Sequence, residues 1–184
     1  VWLDVKKVLN LDDFKDFTIK INENVIKAHK LILIARCPLI ADLLKNDPKA
    51  DCHVLQGIEL NTFKIVLYYI YNDSLPIILN NEKMIKVYAA AGKLKIENLK
   101  NTIGAQLLDK IDENNAIEIL KLATTHNHVD LKKKSFEKIK KLFPNQLVKE
   151  ELIDDVEMLQ KLFDGMMKLK KAEEEFQSLL KQLK

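Results

Sequence analysis

The chain has 184 residues, 47% hydrophobic and only 7% aromatic, so its interior must be built mostly from Leu, Ile, Val and Ala. Against 27 Asp and Glu stand 30 Lys and Arg, a net charge of +3 with the lysines interleaved among acids, and nucleic acid is not an expected partner. With 4 Gly and 4 Pro there is little material for glycine-rich phosphate loops, and a mostly helical protein is favoured. The cysteines, Cys37 and Cys52, are too few for a disulfide framework and accompany no secretory signature; a reducing compartment, cytoplasm and/or nucleus, is expected. No apolar run reaches the roughly 18 residues of a membrane span, so no membrane partner is expected. The chain begins at Val1 and not at Met, as a piece of a longer protein would.

In chain order, Leu3, Val5, Val8 and Leu9 have roughly helical spacing and predict a short amphipathic helix. Phe17 to Ile21 alternates apolar and polar, Asn22 to Asn24 supplies turn residues, and Val25 to Ala28 resumes an extended pattern, which together predict a β-hairpin. Leu31 to Arg36 is aliphatic enough to be a buried helix, and Pro38 starts a second helix to about Lys45. His53 to Leu55 is a further strand. Asn61 is the expected cap of a helix through Tyr71. After a loop in which Ile77, Ile78 and Leu79 need cover, helices follow at Glu82 to Leu94 and Glu97 to Leu108.

Beyond that point no strand is expected. Asp112 to Thr124 and Val129 to Phe143 form a helical hairpin, with Ile117, Ile119, Leu120 and Ala123 facing Leu131, Phe136, Ile139 and Leu142. In the last segment Leu159, Leu162, Met166, Leu169, Phe176, Leu180 and Leu183 follow three- and four-residue steps, a heptad pattern weakened by Gly165 and Glu173. This helix either docks in a bundle or coiled coil or stands free.

The polar residues carry no catalytic constellation. His29 lies between a strand and a helix, where a structural hydrogen bond is its role. His126 and His128 are two apart, a spacing that does not share a helix face, and nothing completes a metal site. Cys52 and His53 are adjacent on a strand and point to opposite faces, while Cys37 reads as a small apolar filler. No nucleophile elbow, dinucleotide fingerprint or phosphate loop is present, so neither enzyme activity nor a cofactor is expected. The lysine runs Lys132 to Lys134 and Lys138 to Lys141 read as a solvated face balanced by nearby Glu, the alternative being a site for a weak anionic partner.

Asp16-Phe17-Thr18, then Ala28-His29-Lys30, then Leu33-Ile34-Ala35-Arg36-Cys37 resembles the opening of a BTB (POZ) domain. Phe63, Tyr69-Ile70-Tyr71, Ala89-Ala90-Ala91 and Leu94 continue the likeness in order, so that it covers about Leu11 to Leu108. Asn115-Ala116, Ile119 to Ala123, His126 and Leu131-Lys132 are similar to the 3-box or BACK-like extension of speckle-type POZ proteins. The resemblance implies an α+β, mostly helical fold with a small three-stranded sheet. It divides the chain into a BTB domain at 1–110, a 3-box/BACK-like hairpin at 111–145, and a C-terminal amphipathic helix at 146–184.

It also implies an interaction adaptor: a homodimer recruiting an unidentified substrate protein to the N-terminal domain of cullin-3. The alternatives are a BTB scaffold that only oligomerises, or an elongin-C-like ligase subunit, which is usually shorter and lacks the tail. By analogy the dimer interface comprises Leu3, Val5, Val8 and Leu9, although that helix could instead fold onto its own core, together with a buried charged pair of Asp16 and Lys30. If that pair is buried, Asp16→Ala should mostly unfold the domain. The cullin-facing residues would be Leu39, Leu43, Leu44, Asp47, Tyr69, Tyr71 and Asn72. One departure bears on this: many cullin-binding relatives carry a hydrophobic residue, any residue, then Glu after the second helix, and this chain reads Leu43-Leu44-Lys45-Asn46-Asp47-Pro48.

Overall fold

The computed structural model describes residues 7, 11–76, 79–143 and 148–182. Leu3, Val5, Val8, Leu9, Ile77, Ile78 and Leu183 lie outside the described residues, as does the side chain of Leu180. The chain folds into two compact units, the first ending at Leu107 and the second running from Leu108.

In the first unit a three-stranded sheet has the order β2-β1-β3. β1 (Phe17–Ile21) is central, antiparallel to β2 (Asn24–Ala28) with Ile19 opposite Ile26, and parallel to β3 (Cys52–Val54) with Ile19 opposite His53. The two-residue turn between β1 and β2 is made possible by Asn22, which takes a left-handed backbone (φ 52°) that Asn tolerates better than most residues. Phe17, Ile19 and Ile21 are buried while Thr18 and Lys20 between them are not, as expected of a sheet with one covered face.

Among the described residues, the sheet is accompanied by five α-helices: α1 (Lys30–Arg36), α2 (Pro38–Asn46), α3 (Leu60–Asn72), α4 (Asn81–Lys93) and α5 (Glu97–Leu108). Pro38 opens α2, where its missing N–H and fixed φ cost nothing. The core gathers Phe17, Leu33, Ile40, Phe63, Val66 and Tyr88, all essentially without solvent contact, and Leu79 finds cover as expected. α3 ends on Asp73 in the left-handed region, whose N–H closes back on the Tyr69 carbonyl.

Two expectations need correction here. Asn61 is not a cap: α3 starts at Leu60 after an extended Glu59, and no side chain caps it, because the turn from chain to helix occurs two residues earlier than the Asn signal suggested. Likewise α1 is not a buried helix. Only Leu33 is enclosed, whereas Leu31 is 75% exposed and Ile34 41% exposed. Aliphatic composition alone does not fix which faces of a seven-residue helix meet the core, and here a single face does.

The second unit contains α6 (Ala116–Thr125), α7 (Val129–Leu142), a short 3-10 turn at Glu150–Asp154 and the long α8 (Val156–Gln182). Before α6, Asp112 Oδ1 accepts from the N–H groups of Asn114 (2.8 Å) and Asn115 (3.1 Å), and Asn115 returns a bond to the Lys110 carbonyl (2.9 Å). This knot of side-chain bonds shortens the first hairpin helix, which begins four residues later than expected. α6 and α7 pack through Ala116, Ile117, Leu120, Phe136 and Ile139, and α8 closes the same core with Leu159 and Phe163. Leu162, Met166 and Met167 pack against its edge, while from Lys168 to Leu179 every side chain is exposed.

Candidate functional site

The region expected to dimerise is organised around Asp16 and Lys30, but not as a buried ion pair. Asp16 is exposed, and its Oδ1 accepts from the backbone N–H of Lys30 at 2.7 Å. Because the first N–H groups of a helix have no intrahelical acceptor, this bond from just ahead of β1 supplies the cap that α1 lacks locally. The Lys30 ammonium instead lies over the Phe17 ring, 5.9 Å from its centre. The correction follows from reach: the carboxylate is spent on the backbone of Lys30, and its side chain departs toward the aromatic face.

Next to this cap the surface is apolar. Leu31 and Ile34 lie one turn apart on α1 and are exposed, and Phe14, two residues before Asp16 in the chain, is 71% exposed. Sequence reasoning missed Leu31 and Ile34 as surface residues. Their signal was present in the three-residue spacing on either side of Leu33, but the expectation of a buried helix hid it.

Six of the seven residues expected to face a cullin separate into two groups, with Tyr69 apart from both. Leu39, Leu43 and Asn72 are half-buried and Asp47 is exposed, so a protein can reach them. Leu44 and Tyr71 cannot be reached: both are in the core, and Tyr71 is among the largest fully buried side chains. Helical periodicity explains Leu44, which lies four residues after buried Ile40 and shares its inward face. Tyr71 is turned inward to bond His29, its hydroxyl accepting the His29 N–H at 3.0 Å and lying 2.8 Å from Nδ1.

Tyr69 is mostly buried at the wall of an open cleft of about 500 Å³ lined also by Arg36, Asp73, Lys95, Glu97 and Asn98. Arg36 pairs with Asp73 across this cleft, and Lys95 pairs with Asp42 at 2.8 Å. Burial and the nearby Asp73 carboxylate push the Tyr69 hydroxyl above its ordinary range. The cleft thus offers alternating charges and one phenol, suited to a polar protein edge.

The remaining polar residues have structural duties. Burial raises the Cys37 thiol and keeps it protonated, with Sγ directed at the Leu94 carbonyl (3.8 Å). His128 Nδ1 accepts from the Leu131 N–H at 3.3 Å at the start of α7. Among the basic residues of α7, Lys132 pairs with Asp154 and Lys134 lies 3.5 Å from Asp109. Among the described residues no group of three or more His, Cys, Asp or Glu could hold a metal ion, and no helix is long and apolar enough to cross a membrane.

The chain is 28% identical over 132 residues to the mouse TD and POZ domain-containing protein 2, covering 70% of this chain and 36% of that protein. It is 30% identical over 141 residues to BTB/POZ and MATH domain-containing protein 3 of Arabidopsis thaliana, covering 70% and 35%. Protein maternal effect lethal 26 of Caenorhabditis elegans is 24% identical over 140 residues, covering 72% and 34%. The chain therefore spans about a third of the length of these curated relatives. Among solved structures, the BTB domain of human gigaxonin shares 25% identity at a TM-score of 0.48, covering 54% of this chain and 87% of that one. The BTB/POZ domain model matches residues 5–111, more than half of the chain, and the protein belongs to the BTB/POZ family of non-enzymatic protein-interaction domains.

Proposed function

We propose that this chain is a homodimeric adaptor that brings a substrate protein, still to be identified, to the N-terminal domain of cullin-3. The observation that carries the self-association is the exposed pair Leu31 and Ile34, one turn apart on α1, since apolar side chains grouped on a surface are what a protein interface covers. The N-terminal segment with Leu3, Val5, Val8 and Leu9 is the natural second contributor. Leu39, Leu43, Asp47 and Asn72 are the residues offered to cullin-3, and Asp16 and Lys30 hold the dimer surface in shape through α1.

The hairpin of α6 and α7 serves as the 3-box/BACK-like extension of residues 111–145. Similarity to the curated relatives over 70% of the chain supports this, because a stretch of that length cannot end before α6 does. Free Cys37 and Cys52 suit a reducing compartment, cytoplasm and/or nucleus.

A second reading, a BTB scaffold that oligomerises without cullin-3, is favoured by one feature: the segment from Leu43 to Pro48 lacks the Glu that many cullin-binding relatives carry. Calorimetric titration of the chain with the cullin-3 N-terminal domain decides between the two. Saturable binding at micromolar affinity or tighter, weakened by Leu43→Ala, is the expected outcome; no heat and no complex on gel filtration would leave the scaffold. Light scattering of the Leu31→Asp, Ile34→Asp double variant reads the dimer separately, and an unchanged dimer mass would remove these residues from the interface.

A further inference from the structure

The last part of α8 is a helix exposed on all sides, yet its apolar residues are ordered. Leu169 is 73% exposed, Phe176 59% and Leu179 58%, with Ala172 between them also exposed. Leu169 and Phe176 are seven apart, and so are Ala172 and Leu179, so the four form alternating first and fourth positions of a heptad. This line is not the docking face continued. Leu159, Phe163 and Met166, which pack on the hairpin, lie about a third of a turn away around a helix of about 3.6 residues per turn, with Leu162 at the edge between the two faces. α8 can therefore close its own core and present a second apolar seam at once.

We propose that this seam is covered by the same seam of a second copy of the chain, as a parallel, in-register two-helix coil over Lys168 to Leu179. Charge selects both the occupant and the direction. In a parallel pair, Lys168 of one helix meets Glu173 of the other, and symmetry makes the contact twice. An antiparallel pair over the same residues sets Glu173 against its own copy and Glu175 against its own copy, two like-charge contacts. A seam of two heptads is marginal by itself. It relies on the dimer proposed above to hold the two tails at a raised effective concentration, and to that extent rests on that reading.

The test uses the full-length chain. Under a thiol–disulfide redox buffer the Ala172→Cys variant should form an intermolecular disulfide at least about tenfold faster than Ser178→Cys, which lies off the seam. Adding Lys168→Glu should slow that cross-link about fivefold, and adding Glu173→Lys as well should restore it; the two positions are five apart on one helix, so only an interhelical contact gives the rescue. Equal rates at the two cysteine positions, or no rescue, would overturn the parallel seam. Light scattering of Phe176→Asp keeps the two readings apart. A dimer there with equal cross-linking rates in the cysteine variants rejects the seam and leaves the BTB-face dimer standing. A monomer there with fast, rescuable cross-linking upholds the seam and removes the BTB-face dimer.

Discussion

The Tyr71 hydroxyl lies 2.8 Å from Nδ1 of His29 and accepts the His29 backbone N–H at 3.0 Å, joining residues 42 positions apart inside the first unit. One phenol thus serves both the ring and the main chain where β2 gives way to α1. His29 Nε2 has no partner of its own, so the ring gains nothing elsewhere if this contact is lost. Tyr71→Phe leaves a buried N–H without an acceptor and should cost about 1–3 kcal/mol in urea unfolding, with cullin-3 affinity unchanged in the folded fraction. An affinity loss without a stability loss would return Tyr71 to the partner surface.

Alkaline pH should destabilise the first unit. Burial, reinforced by the Glu97 carboxylate, pushes the Tyr88 hydroxyl up to about 12 from 10.0, and burial also raises Tyr71 and Tyr69. The unfolded chain therefore releases these protons at lower pH than the folded one. Their stabilising contribution is complete below about pH 10 and is lost as pH rises toward about 12. Urea midpoints measured across that window should fall steadily; Tyr88→Phe should flatten the slope.

Asp16 caps α1, and the expected consequence of its removal is correspondingly small. Asp16→Ala should cost about 1 kcal/mol, the ordinary value of an N-terminal cap, with Asp16→Asn retaining most of it. Thermal unfolding of the two variants checks this. Wholesale unfolding of Asp16→Ala would restore the buried-pair reading.

Leu43 and Leu44 are neighbours with opposite duties. Leu44→Ala removes core volume and should cost about 2–5 kcal/mol. Leu43→Ala should change stability by less than about 1 kcal/mol and act on partner affinity instead. Chemical denaturation of both variants beside cullin-3 titration separates the two effects, and equal destabilisation would contradict the inward and outward assignment.

Most of the element order was readable in advance because it rests on local periodicity. Alternation at Phe17, Ile19 and Ile21 marks a strand whatever covers it, and three- and four-residue spacing marks α4 through α7. The candidate site was readable only in part. Leu39, Leu43 and Asp47 fall where a partner can reach them, whereas Leu44 and Tyr71 do not, since exposure depends on residues distant in the chain. The same limit hid the surface of α1: Leu31, Leu33 and Ile34 are alike in chemistry, and only the packing of α2 and α3 around them leaves Leu33 alone inside.

By itself, the sequence determined the strand and helix order and the BTB likeness. These follow from short-range patterns of polarity and from motif residues in fixed order. Tertiary structure alone decided that Asp16 caps α1, that Tyr71 turns inward to His29, and that the apolar docking of α8 ends at Met167, with Lys170 reaching Glu113 one turn further on. A side chain's periodicity states that it has an apolar or polar face, but its partner is chosen by whichever distant segment folding brings within a few ångströms.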